Sequence, residues 1–252
     1  VTAPVFLAEP GTLAGYAPGA RYQLEGEEAR HAGVVQRRRA GEHVDVVDGA
    51  GVRLRCAITA VEPGRLELEV LELVGEPAPA RRVVLVQALA KGDRDELAIE
   101  AGTEVGVDVI VPWQAQRSVV VWRGERAARS RAKWRATVRT AAKQARRAWV
   151  PEVAEPLTTG GLGRLVAATV AGGGVALLLH EVATDPLTAA DLGTAGDVVL
   201  VVGPEGGIDD AEVETLVGAG ARLTLLGPHV LRTSTAGPVA AALVCARLGR
   251  WG

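Results

Sequence analysis

The chain has 252 residues, 48% of them hydrophobic, and a formal net charge of −2, which is enough for one large or two modest cores. No apolar run approaches the ~18–20 residues of a membrane span, which excludes a helical membrane protein. Cys56 and Cys245 lie in apolar contexts without Cys-x-x-Cys spacing, so two buried reduced thiols are expected rather than a disulfide or metal site. The opening Val1-Thr2-Ala3-Pro4 lacks the basic-then-apolar layout of a secretory leader, and the expected location is cytoplasmic.

Residues 1–75 read as mostly β. A short helical stretch is expected over Glu27–Arg39, with His31, Val34 and Val35 on one side. His43 to Asp48, a turn at Gly49-Ala50-Gly51 and Val52 to Ile58 make a hairpin. Arg65 to Leu73 alternates strictly, as a half-buried strand does. Several short strands with one small helix suggest a compact barrel. Glu76-Pro77-Ala78-Pro79-Ala80 is a stiff, polar stretch. The expected division is therefore a barrel over 1–75, a linker over 76–82 and a second domain over 83–252.

From Val83 the rhythm changes to strands separated by helices, which argues for a mostly parallel α/β sheet. The expected elements are a strand over Val83–Leu89, a helix over Asp93–Val105 and a strand over Val107–Val111. A long helix follows over Ser130–Trp149, with Trp134, Val138, Ala141, Ala142, Ala145 and Trp149 as its apolar stripe. The charge is segregated around this helix. Eleven basic residues lie between Arg117 and Arg147 against Glu125 alone, and that local +10 leaves about −12 for the rest of a chain whose total is −2. The GC-rich codon bias suggested by the lack of Met and Asn does not segregate charge in this way. A basic stripe on an otherwise acidic protein favours a polyanionic partner, and Arg117, Arg135, Arg139, Lys143, Arg146 and Arg147 are the candidate contacts to it.

Beyond it come a helix over Leu162–Ala171, strands over Val175–Leu179 and Val198–Val202, a helix over Ala211–Val217, a strand over Leu223–Leu226 and a helix over Pro238–Leu248. The chain has no Walker A sequence, no G-x-G-x-x-G and no G-x-S-x-G elbow. His31, His43, His180 and His229 never fall at metal-ligand spacing, so no metal is expected.

The five-residue apolar run Val198–Val202 breaks into Gly203-Pro204-Glu205-Gly206-Gly207, and Asp209 and Asp210 then open a helix. Taken alone, this turn also suits an ordinary strand-to-helix connection. Breaks at Leu179-His180-Glu181 and Leu226-Gly227-Pro228 place three strand ends where α/β sheets hold ligands, and exposed backbone there suits an adenine-like ring. Glu205 and Arg232, the latter between Leu231 and the small polar run Thr233-Ser234-Thr235, are expected on two sides of one pocket.

Gly203 to Gly207, with Leu226-Gly227-Pro228-His229-Val230-Leu231-Arg232-Thr233-Ser234-Thr235-Ala236, resembles the RsmE family of 16S ribosomal RNA (uracil-N3)-methyltransferases of the SPOUT superfamily. Gln87 to Arg94, Thr103 to Val107 and Gln116 to Val120 also fit, and His31 through Arg37 looks like the family's amino-terminal RNA-binding segment. The resemblance implies a PUA-like β-barrel followed by a SPOUT domain with a deep carboxyl-terminal trefoil knot. It implies a homodimer that methylates uracil N3 in the decoding-region helix of 16S RNA, free or in the assembled small subunit. S-adenosylmethionine would be held by Leu179, His180, Glu181, Gly203 to Gly207, Leu226, Gly227 and Leu231. Arg232 and Glu205 would be catalytic, and Arg37 would join the RNA contacts. The family usually has Glu where Ser234 stands and Arg where His229 stands. The alternatives are a SPOUT enzyme with another RNA target and a PUA-type RNA-binding protein without catalysis.

Overall fold

The computed structural model describes residues 3–251; Val1 and Thr2, where the leader reading begins, lie outside the described residues. Contacts divide the chain into two units. The first holds the chain up to Ala78 together with Ala142–Val150, and the second holds Pro79–Ala141 and Pro151 onward.

In the first unit, β1 (Val5–Leu7), β2 (Arg21–Glu25), β3 (His43–Val47), β4 (Val52–Glu62) and β5 (Arg65–Gly75) form one sheet in the order β1-β3-β4-β5-β2. No pairing joins β1 to β2 among the described residues, so this is a curled half-barrel rather than a closed barrel. Register shifts at Arg55/Cys56 and Ile58/Ala60 bend β4, as bulges do. Leu66, Leu68 and Val70 of β5 face a core with Phe6, Leu24, Val44 and Leu54, as the alternation predicts. The β3–β4 turn is fixed by the buried Asp48, whose Oδ1 accepts from the amides of Ala50 (2.8 Å) and Val52 (3.0 Å). Gly51 is required there: its φ is +95°, and a Cβ would lie 2.5 Å from the Trp149 ring.

The expected helix over Glu27–Arg39 is shorter. α1 (Gly26–Arg30) widens into a π-helical turn, His31–Val35, in which the Gln36 amide reaches the His31 carbonyl at 2.9 Å. Arg37 ends it at a left-handed φ of 54°, leaving Val34 and Val35 63% and 65% exposed.

The second unit is built on a parallel sheet of β6 (Val83–Ala88), β7 (Val109–Gln114), β8 (Glu152–Val153), β9 (Leu157–Thr158), β10 (Val175–Leu179), β11 (Val198–Val202) and β12 (Arg222–Thr224). Its order is β12-β10-β11-β6-β7-β8, with β9 also pairing to β7. β6 and β11 are buried along their whole length, which is why they are nearly continuous Val and Leu. Helices α2 (Arg94–Val105), α3 (Gly124–Gln144), α4 (Thr159–Ala171), α5 (Asp210–Gly218) and α6 (Thr233–Arg247) complete the chain.

Two helix boundaries differ from expectation. α3 starts before Ser130 and stops before Trp149, because Arg146 turns the chain at a φ of 58°. Trp149 then serves the first unit, where its indole N–H donates to the Glu76 carbonyl (3.0 Å). α6 starts at Thr233 rather than Pro238, since a proline there removes only one backbone donor from an established helix. The expected linker is also fastened at both ends. The Glu76 carboxylate accepts from Arg53 (2.7 Å) within the first unit, and Arg82 pairs with Asp197 (2.6 Å) within the second.

Cys56 and Cys245 are buried free thiols, and burial pushes the Cys56 thiol up to about 12. Among the described residues no helix is long and apolar enough to cross a membrane.

Candidate active site

β10, β11 and β12 run parallel, so the loops after them leave from the same edge of the sheet. With Arg94 and Arg117 they line a cleft of about 940 Å³. Leu179, His180 and Glu181 come from the first loop, Gly203 to Gly207 from the second, and Leu226, Gly227, Leu231 and Arg232 from the third. The structure therefore brings together every residue expected at the cofactor and catalytic positions.

The middle loop is held from several directions. The Gly207 amide closes a turn on the Pro204 carbonyl (3.0 Å), and Asp209 and Glu212 form a reciprocal capping box that starts α5. Glu212 is itself buried and accepts from the Gln116 amide (2.9 Å) and the Thr159 hydroxyl. The Arg117 guanidinium donates to the Gly206 carbonyl (3.3 Å) and to Asp209 (3.2 Å). Glu205 accepts from the Lys91 amide (3.1 Å) and from Arg94 (2.9 Å). Partial burial alone raises the Glu205 pKa. The backbone amides of Glu205 and Lys91 and the Arg94 guanidinium outweigh that and hold the carboxyl below the usual carboxylate range. Glu205 is thus an ionised clamp on its own loop.

Arg232 is different. It occupies the N-cap of α6 without capping it, is exposed, and makes no ion pair among the described residues. The first-turn amides of a helix have no intrahelical partner, and the dipole disfavours a cation there. Both local rules are broken at this position, a pattern that marks functional sites.

The expected polyanion contacts are scattered. Arg37 is exposed in the first unit. Lys143 pairs with Glu28 at 2.6 Å and sits 5.0 Å over the Phe6 ring. Arg146 is exposed and its carbonyl accepts from Arg53 (2.9 Å), while Arg147 is half-buried and engaged. Arg131 is spent on Glu155 and the Val153 and Ala154 carbonyls, and Lys133 on Glu96 (2.5 Å). Exposed Arg135 and half-buried Arg139 form no such pair among the described residues.

Sequence reasoning missed Arg94, Gln87 and Thr233. Arg94 follows Lys91-Gly92-Asp93, the polar break just beyond β6, and that position was the available signal.

The loop carrying Lys91 and Arg94 is itself anchored by Asp95, which is 5% exposed and accepts from the amides of Ala90 (3.3 Å) and Glu96 (2.9 Å). Burial pushes its carboxyl up to about 6 from 3.8 despite those amides. A carboxyl raised in the folded state binds its proton more tightly than in the unfolded chain. Asp95 therefore subtracts stability as pH rises from about 4 to about 6, by about 2–3 kcal/mol. Asp95→Asn is expected to remove that slope: urea titrations at pH 4 and pH 7 should show the variant gaining on the wild type by this amount at the higher pH. Parallel stability curves would refute the assignment.

Residues 76–245 match the model of a family described as an RNA methyltransferase domain. The chain is 44% identical over 233 residues to ribosomal RNA small subunit methyltransferase E of Mycobacterium bovis, covering 92% of this chain and 89% of that protein. It is 29% identical over 219 residues to the protein of the same name from Bacillus subtilis, covering 85% and 86%. Among solved structures, a ribosomal RNA small subunit methyltransferase E from Neisseria gonorrhoeae bound to S-adenosyl methionine superposes with a TM-score of 0.83 at 27% identity, covering 98% of each chain.

Proposed function

The chain belongs to the RsmE family of small-subunit ribosomal RNA methyltransferases, and from that premise we propose that its cleft methylates N3 of a uridine in the decoding-region helix of 16S RNA. The enzyme depends on S-adenosylmethionine, which supplies an electrophilic methyl group when bound. The cleft fits this group. Its volume lies in the range of small-molecule sites, and its lining joins apolar Leu179, Leu226 and Ile208 to three cations, Arg94, Arg117 and Arg232, and three carboxylates, Glu181, Glu205 and Asp210.

The observation that carries the reading is the exposed Arg232 guanidinium on the wall of that cleft, in no ion pair among the described residues. Uracil N3 bears an imide proton, and its loss spreads negative charge over the flanking carbonyl oxygens. Arg232, beside the uncapped amides of α6, is placed to stabilise that charge. Glu205 already accepts from the Lys91 amide and Arg94, and those donors lower its basicity, so we assign it to shaping the loop rather than to removing the N3 proton.

Arg135 and Arg139, with Arg37 of the half-barrel, are our candidates for phosphate contacts, which position RNA without reading it; Lys143 is committed to Glu28. RNA affinity should fall steeply with salt, and Arg135→Ala with Arg139→Ala should flatten the plot of log affinity against log salt by about 1–2 in slope. An unchanged slope would make this face merely solvated. We also propose a cytoplasmic homodimer, supported by Val182, Val230 and Leu231, which line the cleft yet stand 69%, 78% and 38% exposed; a monomer in sedimentation equilibrium would refute it.

The direct test is methylation of small ribosomal subunits that lack the modification, followed by mapping of the base. Modification of another nucleotide would assign a different RNA target. An absence of cofactor heat in titration calorimetry would leave an RNA-binding protein without catalysis.

A further inference from the structure

Gln87 is the one polar residue in β6, Val83-Val84-Leu85-Val86-Gln87-Ala88, and it is fully buried. Its Nε2 donates to the Ala88 carbonyl (3.2 Å) and to the Thr233 hydroxyl (2.9 Å). The Thr233 hydroxyl in turn donates to the Gly203 carbonyl (2.9 Å). The sense of this relay is fixed. The Ala88 carbonyl can only accept, which sets the Gln87 amide orientation. The Thr233 oxygen must then accept from Gln87, and its single proton is committed to Gly203.

The relay joins the two loops that matter to the chemistry. Gly203 opens the glycine-rich loop after β11, and Thr233 directly follows Arg232. Stability does not explain it. The Gln87 Oε1 is buried without a hydrogen-bond partner among the described residues, a costly state, and methionine would fill the same space with no unsatisfied oxygen. α6 also approaches β6 closely at this level: a Cβ on Gly237 would lie 3.0 Å from Leu85 Cδ1 and 3.5 Å from Gln87 Oε1.

We propose that Gln87 and Thr233 are positioning residues whose relay sets the distance between the Gly203 loop and Arg232, and so aligns the base-facing charge with the bound cofactor. The inference rests on the proposed role of Arg232. The glycine-rich loop keeps its other fastenings, Arg117 and the Arg94–Glu205 pair, when the relay is cut. The relay therefore bears on the chemical step more than on cofactor affinity.

Thr233→Val, which keeps the shape and removes the hydroxyl, should slow single-turnover methyl transfer by about 10- to 100-fold, the scale of a small misplacement of a reacting group. Cofactor affinity should stay within about threefold in calorimetry, since the loop's remaining fastenings are untouched. Thr233→Ser should restore the rate. Gln87→Met should behave like Thr233→Val with an unchanged or raised melting temperature. In an Arg232→Ala background, Thr233→Val should cost nothing more, because it acts through the missing group. A wild-type rate for Thr233→Val, or a further loss in the double variant equal to that in the single, overturns the inference and leaves the function standing. Absence of transfer by the wild-type protein would instead sink the functional reading on which it rests.

Discussion

Arg232→Ala is expected to lower the single-turnover rate of methyl transfer by about 10²–10³, the usual loss when one transition-state charge donor disappears. Cofactor affinity should hardly change, because a guanidinium serving the uracil has little reason to approach a sulfonium cation. Fold stability should be unchanged or slightly higher. Arg232 caps nothing, pairs with no carboxylate among the described residues, and places its charge at the helix end where the dipole opposes it. Arg232→Lys should recover little, since an ammonium cannot span two acceptors as the planar fork does. The measurement is transfer at saturating RNA and cofactor, with calorimetry and thermal melting on the same variant. A wild-type rate would make Arg232 a surface residue and return the search to Arg94 and Arg117.

The second large effect is expected at Gly203. A Cβ there would lie 2.5 Å from Ile208 Cγ1, closer than non-bonded carbon atoms approach, and 3.1 Å from its Cδ1. Ile208 packs in the sheet core on one side and lines the cleft on the other, so the clash is relieved either by moving Ile208 into the cleft or by moving the loop. Gly203→Ala is therefore expected to narrow the cleft or to displace the loop that the relay, Arg117 and Glu205 hold in register. Overpacking of this kind costs about 1–3 kcal/mol, which at 1.4 kcal/mol per tenfold amounts to roughly a 10- to 100-fold loss in cofactor affinity. Gly218→Ala is the matched control, because it lies outside the cleft, at the end of α5, and a Cβ there meets nothing within 4 Å. Equal affinities for the two variants would show that the cleft tolerates movement of the middle loop.

Much of this arrangement can be read from the chain. The run Val198–Val202 ending in Gly203-Pro204 signals a buried strand and its loop, and Asp209 signals the start of α5. The alternation at Arg65–Leu73 gives the inward face of β5. What escapes is long-range or geometric. Nothing local announces that Thr233 will meet Gln87 across 146 positions, or that Arg117 will hold Gly206 rather than stand free. Pro238 reads as a helix start because proline favours first turns, yet the helix is already under way. The strand count suggests a compact barrel but does not reveal whether its edge strands pair. A trefoil knot is expected only through the resemblance, since unknotted chains are the rule.

The return of Ala142–Val150 to the first unit governs the order in which the molecule can be made. Arg53 finds one of its acceptors in the Arg146 carbonyl, the Gly51 amide donates to the Ala148 carbonyl (3.0 Å), and Ala148 packs with Val5, Leu7 and Val47. During synthesis none of these contacts exists until residue 150 has left the ribosome, some seventy positions after the last strand of the half-barrel. The amino-terminal unit therefore cannot complete its contacts until the segment Pro79–Ala141 of the other unit has also been made. A gene fragment ending near Ala78 would encode a sheet with one flank unsealed.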